Sequence, residues 1–99
     1  MRCFPPRHTA APRWSLAALT LGELYLGPLG SPLPAAEAFE RARRLGLPAA
    51  LAEQGSARIF EAYAAAGKRE AAARAARAYL SAYPLGAWRR AAERWAGEP

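Results

Sequence analysis

Apolar and small side chains recur at three- and four-residue spacing along most of this chain, and the clearest run lies in residues 63–84. Within it Ala72 and Tyr79 belong to one helical face, because an α-helix repeats every 3.6 residues. Gly67 stands before this run and Pro84 after it, which favours a left-handed turn at the first position and a helix stop at the second. The stretch therefore predicts the end of one helix, a glycine turn and a complete second helix, packed as an antiparallel hairpin.

The same periodicity predicts four further helical segments, separated by turns that contain Gly or Pro. In the first segment we predict an apolar stripe of Ala17, Leu21, Leu24 and Tyr25, which Trp14 and Ala18 broaden. The last helix follows Gly86 and carries Trp residues at helical spacing on one side and charges on the other. The predicted segments are residues 13–26, about 33–45, 48–66 and 87–96.

The composition leaves little material for a β-sheet. The 99 residues include no Val, Asp or Asn, and the only β-branched residues are Thr9, Thr20 and Ile59. Strands are enriched in β-branched residues, so we predict an all-α fold. Residues 1–12 contain three Pro and scattered Arg without periodicity, and we expect a flexible tail there.

The spacing of Tyr63, Gly67, Ala72, Ala76 and Pro84 resembles the second half of a tetratricopeptide repeat, a 34-residue helix–turn–helix unit. An aromatic late in the first helix, Gly at the turn, small residues in the second helix and a closing Pro are all present. The sequence departs from the family pattern in the first helix of this unit. Ser56 stands at the usual Trp position, and Ile59-Phe60 replaces the Leu-Gly pair.

An earlier segment resembles a first repeat, provided that its turn holds one extra residue. Leu21-Gly22 and Tyr25 match the first-helix pattern, and Ala35 and Phe39 match the second helix. The resemblance implies a right-handed α-α superhelix of two hairpins plus a C-terminal capping helix. The implied boundaries within the domain of residues 13–96 are 13–47 for repeat 1, 48–84 for repeat 2 and 86–96 for the cap.

The resemblance also implies a binding groove, because the first helix of each pair lines the concave face in this family. The alternative is that these side chains meet solvent or a neighbouring helix. The family's Asn-containing clamp for peptide carboxylates cannot be assembled here, since the chain has no Asn. The residues implied for the groove are Leu19, Glu23, Leu26, Arg58, Glu61 and Ala65.

The chain is basic, with thirteen Arg and one Lys against eight Glu and a net charge of +6. We identify a basic patch of Arg74, Arg77, Arg90 and Arg94 in the C-terminal third. Such a patch could bind a nucleic acid or another polyanion. A solvated polar face explains the same residues and is favoured, since excess Ala, Arg, Gly and Pro also results from a GC-rich coding sequence.

The sequence offers little for catalysis or for binding a cofactor. His8 is the only histidine and Cys3 the only cysteine, so two ligands are present where structural zinc takes four. Glu37 and Glu40 share a helix face, but each has an Arg four residues later, which is typical of solvated surface pairs. We predict no catalytic residue, no metal site and no cofactor.

These features together predict a non-catalytic scaffold that binds another protein or peptide. Two repeats are fewer than the three or so that usually stand alone, so self-association is one option and a longer bacterial envelope or regulatory protein is another. No segment approaches the roughly 18 apolar residues of a membrane span, and no signal peptide is evident. We expect a cytoplasmic location, or a periplasmic one for a piece of an envelope protein. The alternative is a small basic helical protein that binds nucleic acid or another polyanion.

Overall fold

The structure, a computed structural model, describes the backbone of residues 7–97 and the side chains of residues 13–97. Helices are the only regular elements in this part of the chain, so the all-α prediction is confirmed. The five helices are α1 (Arg7–Leu26), α2 (Pro32–Leu45), α3 (Ala49–Ala65), α4 (Arg69–Ala82) and α5 (Arg89–Ala96).

Helix α1 begins earlier than the sequence predicted. Its backbone is helical from Arg7, whereas the predicted helix starts at residue 13 and the predicted tail covers residues 1–12. Proline inside a helix removes one backbone donor, and this helix continues through Pro12. Residues 1–6 of the predicted tail, with Cys3, lie outside the described residues.

The turn at Gly67 forms as the sequence predicted. Gly67 has φ +77°, in the left-handed region that favours glycine. Its N–H donates to the carbonyl of Ala64 (3.1 Å), and the N–H of Lys68 donates to the carbonyl of Tyr63 (2.9 Å). This pair of bonds is the Schellman arrangement that closes a helix C-terminus, so α3 ends here and α4 can turn back beside it.

Each helix packs chiefly against the next one along the chain. One apolar cluster lies among α1, α2 and α3 around the fully buried ring of Phe39. A second lies among α3, α4 and α5 around Phe60 and Tyr79, whose rings meet edge to face with centroids 5.8 Å apart. Trp95 packs against the second cluster but is only half-buried. Helix α3 therefore contributes to both halves of the core.

The inward face of α1 agrees with the predicted stripe only in part, at Ala18 and Tyr25. Ser15, Ala18, Leu19 and Gly22 are buried, whereas Leu21 and Leu24 are exposed. The close approach of α2 explains the choice, because a Cβ atom at residue 22 would lie 2.5–2.9 Å from three ring atoms of Phe39. Only glycine fits at this crossing, so the face of α1 that carries it must turn inward.

A second glycine, Gly55 in α3, also allows a close packing contact. Glycine inside a helix lowers its intrinsic helicity, but α3 is continuous through Gly55. Gly55 is buried, and a Cβ atom there would collide with Leu47 in the segment between α2 and α3. Because Gly55 has no side chain, Leu47 can pack directly against α3.

A partly buried polar cluster holds the α4–α5 loop against α3. The hydroxyl of Tyr79 donates to Glu53 Oε2 (2.6 Å) and accepts from the N–H of Trp88 (3.0 Å). The N–H of Ala87 donates to the same Glu53 oxygen (2.8 Å). Burial and the bond to the Glu53 carboxylate raise the pKa of Tyr79, so the phenol stays protonated and keeps donating at neutral pH.

Candidate protein-binding surfaces

Three of the residues implied for the concave groove meet in one network between α1 and α3. Arg58 Nε donates to Glu23 Oε2 (3.0 Å), and Arg58 Nη1 donates to Glu61 Oε1 (2.7 Å). Gln54 Nε2 adds a bond to the same Glu23 oxygen (3.2 Å). Burial lowers the pKa of Arg58, but the bonds to Glu23 and Glu61 raise it, and the net shift is upward.

The other three implied residues do not join this network. Leu19 is buried in the core, so its assignment to a binding surface is wrong. Leu26 is half-buried and packs against the first cluster, and Ala65 is exposed at the end of α3. Because the polar groups on this face already bond to one another, it offers a partner few free donors.

A second groove lies on the other side of α3 and, unlike the face that carries Arg58, leaves space for a bound segment. It encloses about 360 Å³ between α2 and α4, and its α3 residues, Ser56, Ile59 and Tyr63, lie on the helix side opposite Arg58. The α4 wall consists mainly of methyl groups at helical spacing. We call this the α2–α4 groove; it is lined by Glu40, Arg43, Ser56, Ile59, Tyr63, Ala71, Arg74, Ala75, Ala78, Tyr79 and Ala82.

One end of the α2–α4 groove is polar. The hydroxyl of Tyr63 donates to Glu40 Oε2 (3.2 Å), and Arg43 Nη2 donates to Glu40 Oε1 (2.9 Å). Burial, and then the charge of Glu40, raise the pKa of Tyr63, which keeps this phenol a donor at neutral pH. Arg74 is exposed and forms no ion pair within residues 13–97.

Sequence reasoning missed this groove for two reasons. It expected Glu40 to pair with Arg44 four residues later, whereas the structure pairs it with Arg43. It also gave no role to the alanines at 71, 75, 78 and 82, which repeat at helical spacing beside the buried face of α4. That repeat was the available signal, but its meaning depends on where α2 lies.

The predicted basic patch lies on the surface. Arg74 and Arg77 on α4 and Arg90 and Arg94 on α5 are all exposed. None of the four forms an ion pair with another described residue. The patch is therefore cationic without internal compensation, and Arg74 belongs both to it and to the α2–α4 groove.

The described residues also bear on metal binding and on membrane insertion. No three or more His, Cys, Asp or Glu side chains there come together as metal ligands would. No helix in the same part of the chain has both the length and the apolar character needed to cross a membrane. The chain also matches no family model, no curated protein and no solved structure.

Proposed function

We propose that this protein is a non-catalytic interaction module of the tetratricopeptide type that binds a segment of another protein in the α2–α4 groove. The observation that carries the proposal is the open volume of about 360 Å³ between these two helices, floored by α3. This volume lies within the range of about 300–1,000 Å³ that is usual for small-molecule pockets, and a groove for a helix has to take only the side chains that anchor it. The superhelical stacking of two repeats and a cap is part of the same proposal, and the consecutive packing of the five helices supports it.

The groove walls favour a helical segment. Ala71, Ala75 and Ala78 present only methyl groups along one side, so the backbone of a bound helix can approach α4 closely. Helix-in-groove recognition uses apolar anchors at spacings of three and four residues. A partner segment with small or medium apolar residues at such spacings fits this wall.

The polar end of the groove favours an acidic group on the partner. Glu40 is already bonded to Tyr63 and Arg43, whereas the guanidinium of Arg74 has no partner among the described side chains. A carboxylate next to the apolar anchors would bond to Arg74, and bonds of this kind to charged groups are the stronger ones. The proposed ligand is therefore an amphipathic helix with a carboxylate at one flank.

The test uses helical peptides selected against the whole chain from a displayed library, with affinities measured by fluorescence anisotropy. We expect Ala78→Glu to weaken binding at least tenfold, about 1.4 kcal/mol, because it fills the groove and repels the carboxylate. Ser81→Glu is the matched control, since Ser81 is also exposed on α4 but does not line the groove. Circular dichroism checks that both variants fold. Equal losses for the two variants, or binders that ignore Ala78→Glu, would contradict the proposal.

A second candidate function rests on the basic patch. Residues 68–97 contain seven Lys or Arg and two Glu, and the four arginines of the patch lack ion-pair partners in the described structure. Polyanion binding by such a surface releases counterions and falls steeply with salt.

Heparin retention distinguishes the two candidates. For an interaction module we expect Arg77→Glu in the patch and Arg44→Glu on α2 to lower the eluting salt concentration equally, because both change the net charge by the same amount. Both residues are exposed, so neither substitution should disturb the core. A much larger loss for Arg77→Glu, with a steep salt dependence in the unmodified protein, would favour polyanion binding.

A further inference from the structure

The outward face of α1 is apolar. Trp14, Leu21 and Leu24 are 64%, 44% and 47% exposed, and Ala17 and Thr20 are exposed between them. Residues 17, 20, 21 and 24 follow the spacing of a single helix face. No charged side chain lies on this stripe between residues 14 and 24, and Arg13, which is exposed, borders its N-terminal end. We call it the α1 stripe.

The other end of the array is different. Helix α5 turns Arg90, Glu93 and Arg94 to solvent, as the end of a helical array requires for solubility. A contiguous exposed apolar stripe usually marks an interaction site. The contrast between the two ends indicates that α1 is covered by something in the functional state.

The rim of the α1 stripe indicates what covers it. A groove of about 340 Å³ runs between the stripe and α2, and its α2 side carries Glu37 and Arg41. Both side chains are exposed, and neither forms an ion pair within residues 13–97. One acid and one base one turn apart make this rim complementary to an antiparallel copy of itself.

We propose that the α1 stripe packs against the α1 stripe of a second copy of this chain, with the two α1 helices antiparallel about a two-fold axis. Phe39 packs on Gly22, so residue 39 of α2 is level with residue 22 of α1. Glu37 and Arg41 are equally far from residue 39. A two-fold axis across the helices at this level sets each Glu37 opposite Arg41 of the second copy, and Leu21 lies close to its own symmetry mate.

The alternatives within self-association fit less well. Parallel α1 helices would place the two α2 rims on opposite sides, so that their charges could not pair. Head-to-tail contact would lay the arginines of α5 on the apolar α1 stripe, where they would lose hydration without gaining a carboxylate. The closed two-fold arrangement avoids both costs.

The area of the proposed dimer interface sets the expected affinity of the dimer. About an axis at residue 22, residues 18–26 of the two α1 helices overlap over about 13 Å, and residues 33–45 of the two α2 helices overlap over about 20 Å. With a width of about 10 Å for each helix, each copy would bury about 300 Å², or about 600 Å² in total, below the 1,200–2,000 Å² of stable complexes. We expect a reversible dimer that dissociates on dilution.

Sedimentation equilibrium of the full chain over about 5–500 μM tests this inference, since weak interfaces of this size dissociate within such a range. We expect a monomer–dimer equilibrium that Leu21→Glu weakens at least tenfold. Leu85→Glu is the matched control because Leu85, 86% exposed, lies far along the chain in the α4–α5 loop; it should change the dissociation constant less than twofold. A protein that stays monomeric at the highest concentration, or equal effects of the two variants, would overturn the inference.

Charge reversal gives an independent test that leaves the apolar stripe intact. Glu37→Arg and Arg41→Glu should each weaken the dimer, because each places like charges opposite each other twice. An equimolar mixture of the two variants should recover dimerisation, since every Arg of one variant then faces a Glu of the other. If the single variants dimerise like the unmodified chain, or if the mixture shows no recovery, a different surface forms the contact and the inference is wrong.

Discussion

Replacement of Phe39 by alanine is expected to lower the free energy of unfolding by about 3–5 kcal/mol, the usual cost of removing a buried aromatic ring. The ring is fully buried, and several of its neighbours, such as Ala35 and Ala42, are alanines. These short side chains cannot move in to fill the space that the ring leaves. Urea unfolding followed by circular dichroism measures the loss.

The expected loss is a large part of the free energy of unfolding of a whole domain. A single domain has only about 5–15 kcal/mol of stability in total, so Phe39→Ala is expected to be partly unfolded in mild urea. Leu29→Ala is the control, because Leu29 is 60% exposed and such surface changes usually stay within about 0.5 kcal/mol. A loss below about 1 kcal/mol for Phe39→Ala would mean that the ring does not fill the core as described.

The second large effect is expected from Tyr79→Phe, which removes a hydroxyl that makes two partly buried hydrogen bonds. The N–H of Trp88 loses its acceptor, and Glu53 Oε2 loses one donor but keeps the N–H of Ala87. Leaving buried groups without partners costs about 1–3 kcal/mol, so we expect a loss near the lower end of this range. Tyr63→Phe is the matched control, because its hydroxyl makes one longer bond to Glu40, 3.2 Å, at a half-buried position. Equal losses for the two variants would contradict the role given to Tyr79.

The same tyrosine predicts an alkaline weakening of the fold. Burial and the bond to Glu53 raise the pKa of Tyr79 in the folded state, so folding favours the protonated phenol. Its contribution is complete below the unfolded pKa of about 10 and is lost as pH rises through the higher folded pKa. The unmodified protein should therefore lose stability above pH 10 more steeply than Tyr79→Phe. Some alkaline loss should remain in the variant, because the pKa of Tyr63 is raised as well.

Local signals explain what the sequence predicted correctly. The alanine-rich periodicity of α4, the left-handed turn at Gly67 and the stop at Pro84 each depend on residues within one or two turns. The number of helices and most of their ends follow from such signals. The start of α1 does not, because a proline inside a helix looks like a boundary.

The orientation of α1 could not be predicted from its own residues. Apolar side chains surround this helix, with Leu19 on one side and Leu21 and Leu24 on the other, so periodicity alone favoured a stripe that is mostly exposed. The contact between Gly22 and Phe39 determines which face of α1 is buried, and these two residues lie 17 positions apart in the sequence. A glycine in an otherwise apolar helix was the one available sign of a close approach.

The candidate surfaces, like the helices, could be predicted only in part. Glu23, Arg58 and Glu61 were assigned to one surface through the family resemblance, and the structure joins them in a single network. The α2–α4 groove depends on the space that two helices leave above α3, which no single helix reveals. Leu19 is buried instead of lying on the predicted surface, because the Gly22 face of α1 points into the core.

The glycine beneath Phe39 also has a consequence for the stability of α1. Glycine inside a helix weakens its intrinsic helicity by roughly 1 kcal/mol relative to alanine, and short isolated helices are already marginal in water. The intrinsic helicity of α1 is therefore lowered at Gly22, as that of α3 is at Gly55. The packing of Phe39 on Gly22 offsets this cost, so α1 gains much of its stability when it docks on α2.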